Sequence, residues 1–444
     1  MKILMVTSRF FPDSPGGTEV YVASLCQHLV AQGIQVAVAA PKRGLQQVSR
    51  SSWEDIPVVR YPVSPTAQRM ASANQPCTEQ RSLFAEILLD QRPDVLHLHT
   101  WGGLAGVNEF AAASASGIPT LLTVHHPLLV CPRGSALQWG TFPCPAPTDL
   151  RVCGACLLQS RGMPIPLSRF LSNALESYPK LGRIVGFPAR AIAAVQRKRA
   201  LWAGVAGFVT PARWLIPLLR MHDVLPERIH YIPQALCHPL PRNVRRTAHE
   251  RVILGFLGRC KPLKGLDLLI AAVRRLPGEL KLEVRVHCSV DADDAQAASR
   301  SVAELQASAI SDSRIRFLPP LAPQQVLQEI AQWDALIIPS RVQECAPLVA
   351  LEAFAVGVPV IGADCGGIAE LVTHEQSGLL FRTGSVASLA EQLHRYCSEP
   401  ELASRLRRAI PKVPDSRSLA QAMIPLYNST LTEKGEARVA QRYG

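Results

Sequence analysis

The chain has 444 residues, of which 48% are hydrophobic and 18% are charged, and its net charge is +12 at pH 7. This composition excludes a disordered protein and allows two globular domains, while the positive charge favours an acidic partner, either anionic lipid or a phosphorylated substrate. No apolar run could span a bilayer, so we expect a protein that is neither exported nor integral to a membrane. The twelve cysteines are scattered, which favours the reducing cytoplasm over a disulfide-bonded fold. No nucleic-acid motif is present.

The chain begins with an apolar strand over residues 2–7 that is typical of a Rossmann-like sheet. Gly16 and Gly17 follow in a loop, before a helix predicted from Glu19 to about Gln32 with Thr18 as its N-cap. A glycine pair at such a turn lets backbone approach a ligand closely, although paired glycines also occur in ordinary turns. The loop lacks the G-x-G-x-x-G pattern, which lowers the case for a nicotinamide enzyme.

Two further predicted strands carry histidines. His97 and His99 point to the same face of the strand DVLHLHT, where histidines are more often packing groups than catalysts. The strand PTLLTV ends at His125 and His126, which open a long loop. A histidine at the carboxyl edge of a sheet is a better functional candidate, and the choice between these two neighbours stays open.

Four cysteines then fall within 26 residues, with the spacing C-x12-C-x8-C-x2-C. They are Cys131, Cys144, Cys153 and Cys156. Four thiolates would bind a structural zinc ion and leave no open position for catalysis. Because only one half has the tight C-x2-C spacing, four thiols without a metal are an equal alternative.

Residues 161–200 form a basic segment that contains aromatic residues and one acidic residue, Glu176. Its basic residues are Arg161, Arg169, Lys180, Arg183, Arg190, Arg197, Lys198 and Arg199. Basic charge among aromatic and aliphatic residues indicates an interfacial membrane segment, with a solvated helix pair as the alternative. Together with the cysteines it makes an insert over residues 131–200.

A linker rich in Pro and Arg separates two predicted domains, 1–238 and 239–444, and we expect the last helix to cross back onto the first domain. The second domain opens with the strand RVILGFLGR. Arg259 and Lys264 lie at the carboxyl end of this strand, on either side of a tight loop. Two cations at this place are costly unless an anion meets them.

A β-loop-α-β-loop-α unit follows from Asp334 to Glu370. The strand at 335–338 precedes Glu344, and a helix predicted over Leu348–Val356 carries Glu352, with Pro347 at its start. The N–H groups of the first helical turn suit a phosphate, and the two carboxylates suit sugar hydroxyls. A solvated loop glutamate and a helix glutamate are the alternative, but apolar neighbours enclose Glu352.

This Glu-x7-Glu pattern, followed by GVPVIGADCGGIAELV, resembles the donor-site signature of the retaining glycosyltransferases of family 4. The resemblance covers nearly the whole chain, including the Gly-Arg…Lys-Gly pattern at 258–265 and a cysteine-rich insert that a subset of the family carries. It implies an α/β protein of GT-B architecture, with two Rossmann-like doubly wound parallel sheets that face an interdomain cleft.

The resemblance also implies roles for the donor-side residues. Arg259 and Lys264 would hold the donor diphosphate in place of a catalytic metal, Glu344 would bind sugar hydroxyls, and Glu352 would bind the ribose. The backbone at Ala346–Leu348 would join the phosphate site. Cys345, Ala346 and Pro347 stand where many members have an aromatic residue or a glycine, and this departure bears on sugar preference.

In the other domain, the resemblance places Gly16 and Gly17 near the donor phosphates and the acceptor, and His125 beside the anomeric region of the donor sugar. The expected donor is a UDP- or GDP-sugar. The expected acceptor is a glycan or a lipid-linked sugar at an anionic membrane on the cytoplasmic side. A sugar-nucleotide epimerase and a non-catalytic sugar-nucleotide-binding protein are the alternatives.

Overall fold

The protein is described by a computed structural model that covers residues 1–14, 16–102, 104–145, 148–177, 187–240, 250–289 and 295–443. It forms two compact units. The first contains Met1–Gly134, Pro145–Cys237 and Asp415–Gly444, and the second contains Ser135–Cys144 and His238–Pro414. The chain therefore passes between the units four times.

The first unit is built on an eight-stranded sheet. Its strands are β1 (Lys2–Val6), β2 (Gln35–Lys42), β3 (Ser49–Trp53), β4 (Ile56–Pro62), β5 (Val95–Leu98), β6 (Thr120–Thr123), β9 (Gly207–Thr210) and β10 (Ile229–Tyr231). The order is β10-β9-β6-β5-β1-β2-β4-β3, and every neighbouring pair is parallel except β3 and β4.

Helices connect these strands. They are α1 (Gly17–Val30), α2 (Pro65–Ser72), α3 (Thr78–Gln91), α4 (Val107–Ala115), α5 (Leu150–Gln159), α6 (Ile165–Ser177), α7 (Phe187–Leu201), α8 (Leu215–Met221) and, from the end of the chain, α16 (Ser416–Tyr443). Helix α16 contributes Leu419, Met423 and Tyr427 to the same buried cluster as Met5 of β1. Its apolar face thus completes the core of this unit.

The second unit is built on a six-stranded parallel sheet. Its strands are β11 (Val252–Arg259), β12 (Leu282–Ser289), β13 (Ile315–Leu318), β14 (Ala335–Ile338), β15 (Val360–Ala363) and β16 (Gly378–Phe381), in the order β13-β12-β11-β14-β15-β16. A separate hairpin, β7 (Leu137–Gln138) and β8 (Phe142–Pro143), also belongs to this unit. Because β11 and β14 are central neighbours, their carboxyl-terminal loops meet at one edge of the sheet.

The helices of the second unit are α9 (Leu266–Val273), α10 (Ala295–Ala309), α11 (Val326–Ile330), α12 (Leu348–Ala355), α13 (Gly366–Leu371), α14 (Val386–Ser398) and α15 (Leu402–Arg408). The predicted fold class, two doubly wound parallel sheets, is confirmed. In the part of the chain that the structure covers, no helix is both long enough and apolar enough to cross a membrane.

Several local predictions need correction. Helix α1 begins at Gly17 with Gly16 at its N-cap, so Thr18 lies inside the helix. The second strand of the predicted β-loop-α-β-loop-α unit, β15, begins at Val360. Strands β3 and β4 are not among the predicted elements. The sequence SRSSW of β3 is polar and largely exposed, so it gives no apolar signal for a strand.

Candidate functional site

A short turn places the two predicted cations of the second unit. Arg259 ends β11, and the amide of Lys261 donates to its carbonyl at 2.9 Å. A 3₁₀ turn over Pro262–Lys264 follows and leads to Gly265, whose φ is +71°. A Cβ atom at Gly265 would lie 1.9 Å from the carbonyl oxygen of Pro339, so only glycine lets the turn pack against the loop after β14.

Arg341 fastens the same two loops together. Its amide donates to the carbonyl of Leu263 at 2.7 Å, and its guanidinium donates to both carboxylate oxygens of Asp267 at 2.8 Å. A two-point contact of this kind fixes orientation as well as distance. The turn that carries Lys264 is therefore held against the loop that carries Glu344.

Lys264 and Glu344, which lie eighty positions apart in the chain, are in direct contact. The Lys264 Nζ atom lies 2.6 Å from Glu344 Oε1, and the hydroxyl of Ser340 donates to the same oxygen at 2.8 Å. The Glu344 side chain is 15% exposed and that of Lys264 is 35% exposed. The structure thus brings together a cation and a carboxylate that the sequence places in separate motifs. Ser340 completes this hydrogen-bonded cluster, and sequence analysis did not predict its role.

Two glycines after β15, Gly366 and Gly367, pack against the backbone of the loop that carries Glu344. The amide of Gly367 donates to the carbonyl of Glu344 at 2.7 Å, and a Cβ atom at Gly367 would lie 2.1 Å from the carbonyl oxygen of Cys345. Gly366 has φ of +54°, and its Cβ would lie 2.8 Å from the Cα of Gln343. The GG pair of the signature is therefore required by close backbone approach, which fixes the path of residues 343–345.

The remaining residues that are predicted to bind the donor lie along the start of α12. Cys345 is buried, and burial raises the pKa of its thiol well above the usual range, so it is a packing residue and not a nucleophile. Pro347 caps α12, and Ala346, Pro347 and Leu348 are partly exposed. The first N–H groups of a helix have no acceptor within it and point away from its N-terminus.

Glu352 faces an unexpected partner. It is only 6% exposed, and its Oε1 lies 3.3 Å from Nε2 of His238. His238 is the first residue of the long segment of the second unit and lies at the predicted boundary between the two domains. The local sequence gives no signal for this pairing, because 113 residues separate the two side chains.

The hairpin at residues 135–144, which belongs to the second unit, forms hydrogen bonds with the loop that carries Glu344. Gln343 donates through its backbone amide to the carbonyl of Ser135 at 2.9 Å and through its side chain to the carbonyl of Ala136 at 2.5 Å. Leu137 is 1% exposed and belongs to the hydrophobic core cluster of this unit. Part of the predicted cysteine-rich insert is therefore a structural component of the second unit.

In the first unit, the glycine loop and the histidines lie at the carboxyl ends of β1, β5 and β6. Gly16 and Gly17 begin α1, and the Gly16 carbonyl accepts from the amide of Val20 at 2.9 Å. His125 follows β6 and is partly buried, whereas its neighbour His126 is exposed. Burial lowers the pKa of His125 to about 3, so its imidazole is neutral at cellular pH.

His125 is part of a cluster of aromatic side chains. Its Nε2 atom lies 3.1 Å from Nδ1 of His99, and Tyr21 packs edge-on against its ring at 4.8 Å between centroids. His97, in turn, contacts the Tyr427 hydroxyl through Nδ1 and the Thr123 hydroxyl through Nε2, both at 2.7 Å. Of the two histidine candidates, His125 is the one that the structure integrates into a network.

The four-cysteine zinc site is not assembled. Among the described residues, no three His, Cys, Asp or Glu side chains are close enough to hold a metal ion. Cys144 belongs to the second unit with its hairpin, and Cys131, Cys153 and Cys156 belong to the first. Cys153 packs with Leu157 and Ile192 in a small hydrophobic cluster.

Parts of the basic segment also differ from the prediction. Lys180 and Arg183 lie outside the described residues. Lys198 is 4% exposed, with its ammonium donating to the carbonyl of Leu128 at 2.9 Å, and Arg199 pairs with Asp223. The prediction that Lys198 faces a membrane is therefore wrong.

Comparisons with known proteins identify the class to which this fold and site belong. The family described as "Glycosyl transferase 4-like domain" matches residues 16–235, and the family described as "Glycosyl transferases group 1" matches residues 241–413. The two matches together span nearly the whole chain. The chain belongs to the family-4 glycosyltransferases of GT-B fold, and the predicted family and enzyme class are confirmed.

Curated relatives agree with this assignment. The D-inositol 3-phosphate glycosyltransferase of Streptomyces scabiei is 25% identical over 459 residues, which cover 97% of this chain and 90% of that protein. The enzyme of the same name from Saccharomonospora viridis is 32% identical over 203 residues, which cover 43% of this chain and 47% of that protein.

Solved structures show the same fold. Sucrose-phosphate synthase from Thermosynechococcus elongatus superposes with a TM-score of 0.67 at 16% identity, covering 97% of this chain and 99% of that one. Anabaena HepE in complex with UDP and glucose gives a TM-score of 0.60 at 15% identity, covering 99% and 100%. At these identities the likeness concerns architecture alone.

Proposed function

We propose that this chain transfers a sugar, with retention of its anomeric configuration, from a UDP- or GDP-sugar to a glycan or lipid-linked acceptor. The observation that carries the proposal is the contact of Lys264 with Glu344, which joins the loops that follow β11 and β14, with Arg259 at the carboxyl end of β11. This arrangement offers cations for a diphosphate and a carboxylate for sugar hydroxyls at one place. The UDP and glucose held by HepE, and the glycosyltransferase names of the curated relatives, support it.

The chemistry follows from these groups. The bond between the anomeric carbon and the diphosphate oxygen breaks, and a bond from the acceptor oxygen forms on the same face of the sugar. The leaving phosphate takes the proton of the acceptor hydroxyl. Arg259, Lys264 and the amides at the start of α12 stabilise the negative charge that develops on the diphosphate.

The carboxylates and the histidine serve to bind and orient. Glu344 accepts hydrogen bonds from sugar hydroxyls, and Glu352, with His238 beside it, accepts from the ribose. His125 contacts the anomeric region as a neutral imidazole, because burial keeps its pKa near 3. A neutral ring can donate or accept a hydrogen bond without placing a positive charge beside the leaving diphosphate.

We propose that the reaction needs no divalent metal, because two side-chain cations and a helix N-terminus supply the positive charge. One Asp-x-Asp triplet, Asp291–Asp293, follows β12 in the sequence and lies outside the described residues. Turnover in EDTA is therefore a direct test. Loss of activity in EDTA, with recovery on addition of Mg²⁺ or Mn²⁺, would contradict the metal-free part of the proposal.

We propose that α6 binds the anionic membrane that holds the acceptor. Its Leu167 and Phe170 side chains are 47% and 69% exposed, and Arg161 and Arg169 beside them are also exposed. Apolar side chains flanked by basic ones suit the interface of an anionic bilayer. Exchanging Phe170 for Ser should lower co-sedimentation with phosphatidylglycerol vesicles, whereas the same exchange at Ile310, 87% exposed in the other unit, should not.

The central experiment measures transfer from UDP- and GDP-sugars by purified protein. Replacing Arg259 or Lys264 with Ala should lower turnover at least ~10²-fold, the size expected for losing one charge-stabilising donor. Lys261 lies in the same loop with an exposed side chain, so Lys261→Ala is the matched control and should stay near wild type. Formation of an epimerised donor without acceptor, or binding of donors without any turnover, would overturn the transferase proposal.

A further inference from the structure

His99 lies between a sulfur atom and the candidate site histidine. It is 2% exposed, and its backbone amide donates to the carbonyl of Val6 at 2.8 Å, which fixes it beside β1. Its Nε2 atom lies 3.4 Å from Sδ of Met5, and its Nδ1 atom lies 3.1 Å from Nε2 of His125. The two ring nitrogens of His99 therefore face two different partners.

The chemistry of these partners selects one tautomer. A neutral imidazole carries a proton on one ring nitrogen and a lone pair on the other, and a thioether sulfur can only accept. If His99 holds its proton on Nε2, that N–H donates to Met5 and Nδ1 is left to accept. The other tautomer would set the Nε2 lone pair against the sulfur lone pairs and lose this hydrogen bond.

The tautomer of His99 then determines which ring nitrogen of His125 carries the proton. When Nδ1 of His99 accepts, the Nε2 atom of His125 must be the donor. Since burial depresses the pKa of both histidines, neither ring gains a second proton at cellular pH. The Nδ1 atom of His125 consequently carries a lone pair.

We infer that His99 is a positioning residue that holds His125 in the Nε2-protonated tautomer, so that Nδ1 of His125 acts as a hydrogen-bond acceptor. The inference rests on the proposed function of His125 near the donor sugar. A lone pair at Nδ1 recognises a hydroxyl hydrogen and disfavours a phosphate oxygen. The ligand group that His125 takes is therefore a hydroxyl of the sugar or of the acceptor, and not the diphosphate.

Packing keeps the ring in place for this role. The ring planes of His99 and His125 differ by 28°, with centroids 5.4 Å apart, and the ring of His97 packs against His99 with centroids 4.1 Å apart. Tyr21 contacts both His99 and His125. With three aromatic rings around it, His99 has little freedom to rotate.

The tautomer is measured directly by NMR. In full-length protein labelled with ¹⁵N-histidine, long-range ¹H–¹⁵N correlation distinguishes a protonated from an unprotonated ring nitrogen, and His125→Gln assigns the signal. We expect Nε2 of His125 to be protonated and Nδ1 to be unprotonated. An Nδ1-protonated His125 in the wild-type protein would overturn the inference, whether or not the protein proves to be a glycosyltransferase.

Two exchanges at position 99 separate positioning from packing. His99→Asn can place its carbonyl oxygen where Nδ1 lies and still accept from His125, whereas His99→Leu fills space without an acceptor. We expect His99→Leu to show mixed tautomers of His125 and a kcat lowered roughly tenfold, about the effect of one hydrogen bond, with donor KM little changed. His99→Asn should restore the single tautomer and most of kcat.

Met5→Leu provides a further check, because it removes the acceptor for Nε2 of His99 with little change of volume. We expect it to weaken the tautomer preference of His125 without unfolding the protein. If His125 keeps one tautomer in both His99→Leu and Met5→Leu, His99 does not set it. If the expected tautomer is present but no nucleotide sugar is turned over, the positioning stands and the proposed function fails.

Discussion

The histidine cluster of the first unit should make the protein less stable as the pH falls from 7 to 5. Burial lowers the pKa of His97 and of His125 to about 3, whereas a histidine in an unfolded chain titrates near its ordinary value of 6.5. Between these values the unfolded state binds more protons than the folded state. Stability therefore rises with pH across this window and is lost as the pH decreases from about 6.5 towards 3.

The size of the effect follows from the two pKa values. Between pH 7 and pH 5, a histidine that titrates at 6.5 when unfolded and near 3 when folded removes about 2 kcal/mol from the free energy of unfolding. His97 and His125 together account for about 4 kcal/mol on the same basis, and His99 adds to this in the same direction. A change of this size is a large fraction of the stability of a typical domain.

The assay is urea unfolding at pH 7 and pH 5 of the wild-type protein and of His97→Asn. The variant loses hydrogen bonds and should be less stable at both pH values, but its stability should fall about 2 kcal/mol less than that of the wild type. Buried Glu109, whose pKa is raised by burial, acts in the opposite direction, and it cancels in this comparison because both proteins contain it.

His394→Asn is the control, since His394 is exposed on α14. It should leave the difference between the two pH values unchanged. Equal losses of stability in the wild type and in His97→Asn would show that His97 is protonated in the folded state. The account of the histidine cluster as a neutral network would then be wrong.

Two further substitutions test other features. Gly367→Ala should lower donor affinity and destabilise the protein by about 1–3 kcal/mol, because its Cβ would meet the carbonyl of Cys345, whereas Gly278→Ala, with open space at its Cβ, should be neutral or slightly stabilising. Burial lowers the pKa of Lys198 to about 7, so Lys198→Met should raise stability at pH 7 by at least about 1 kcal/mol and flatten its rise between pH 7 and 10. Calorimetry and donor titration would measure the first effect, and urea midpoints across the pH range the second; unchanged midpoints would contradict the burial of a charged Lys198.

The elements of the candidate donor site could be predicted from sequence because their signals are local. The apolar run of β14, the proline before α12 and the glycines after β15 each act within a few residues, and the structure places these elements close to their predicted positions. The contact of Lys264 with Glu344 follows from the parallel pairing of β11 with β14, since neighbouring parallel strands end at one edge.

The parts that could not be predicted depend on contacts between distant segments. The pairing of Glu352 with His238, and that of Gln343 with the backbone of Ser135, leave no local pattern in the chain. Charge composition also led to a wrong prediction for part of the basic segment, because it does not distinguish the buried Lys198 from the exposed Arg169. The spacing of the cysteines suggested a shared metal, but it carried no information on which of them pack into apolar surroundings.

The fourfold passage of the chain between the units has a consequence for any attempt to separate or exchange them. A cut after residue 237 would leave the first fragment without α16, whose Tyr427 hydroxyl contacts His97. The second fragment would lack the hairpin whose Leu137 fills its core, and it would expose that vacancy to water. Chimaeras that swap donor specificity between relatives must therefore carry residues 135–144 together with 238–414, and a fragment cut at the linker alone should aggregate or be degraded instead of folding.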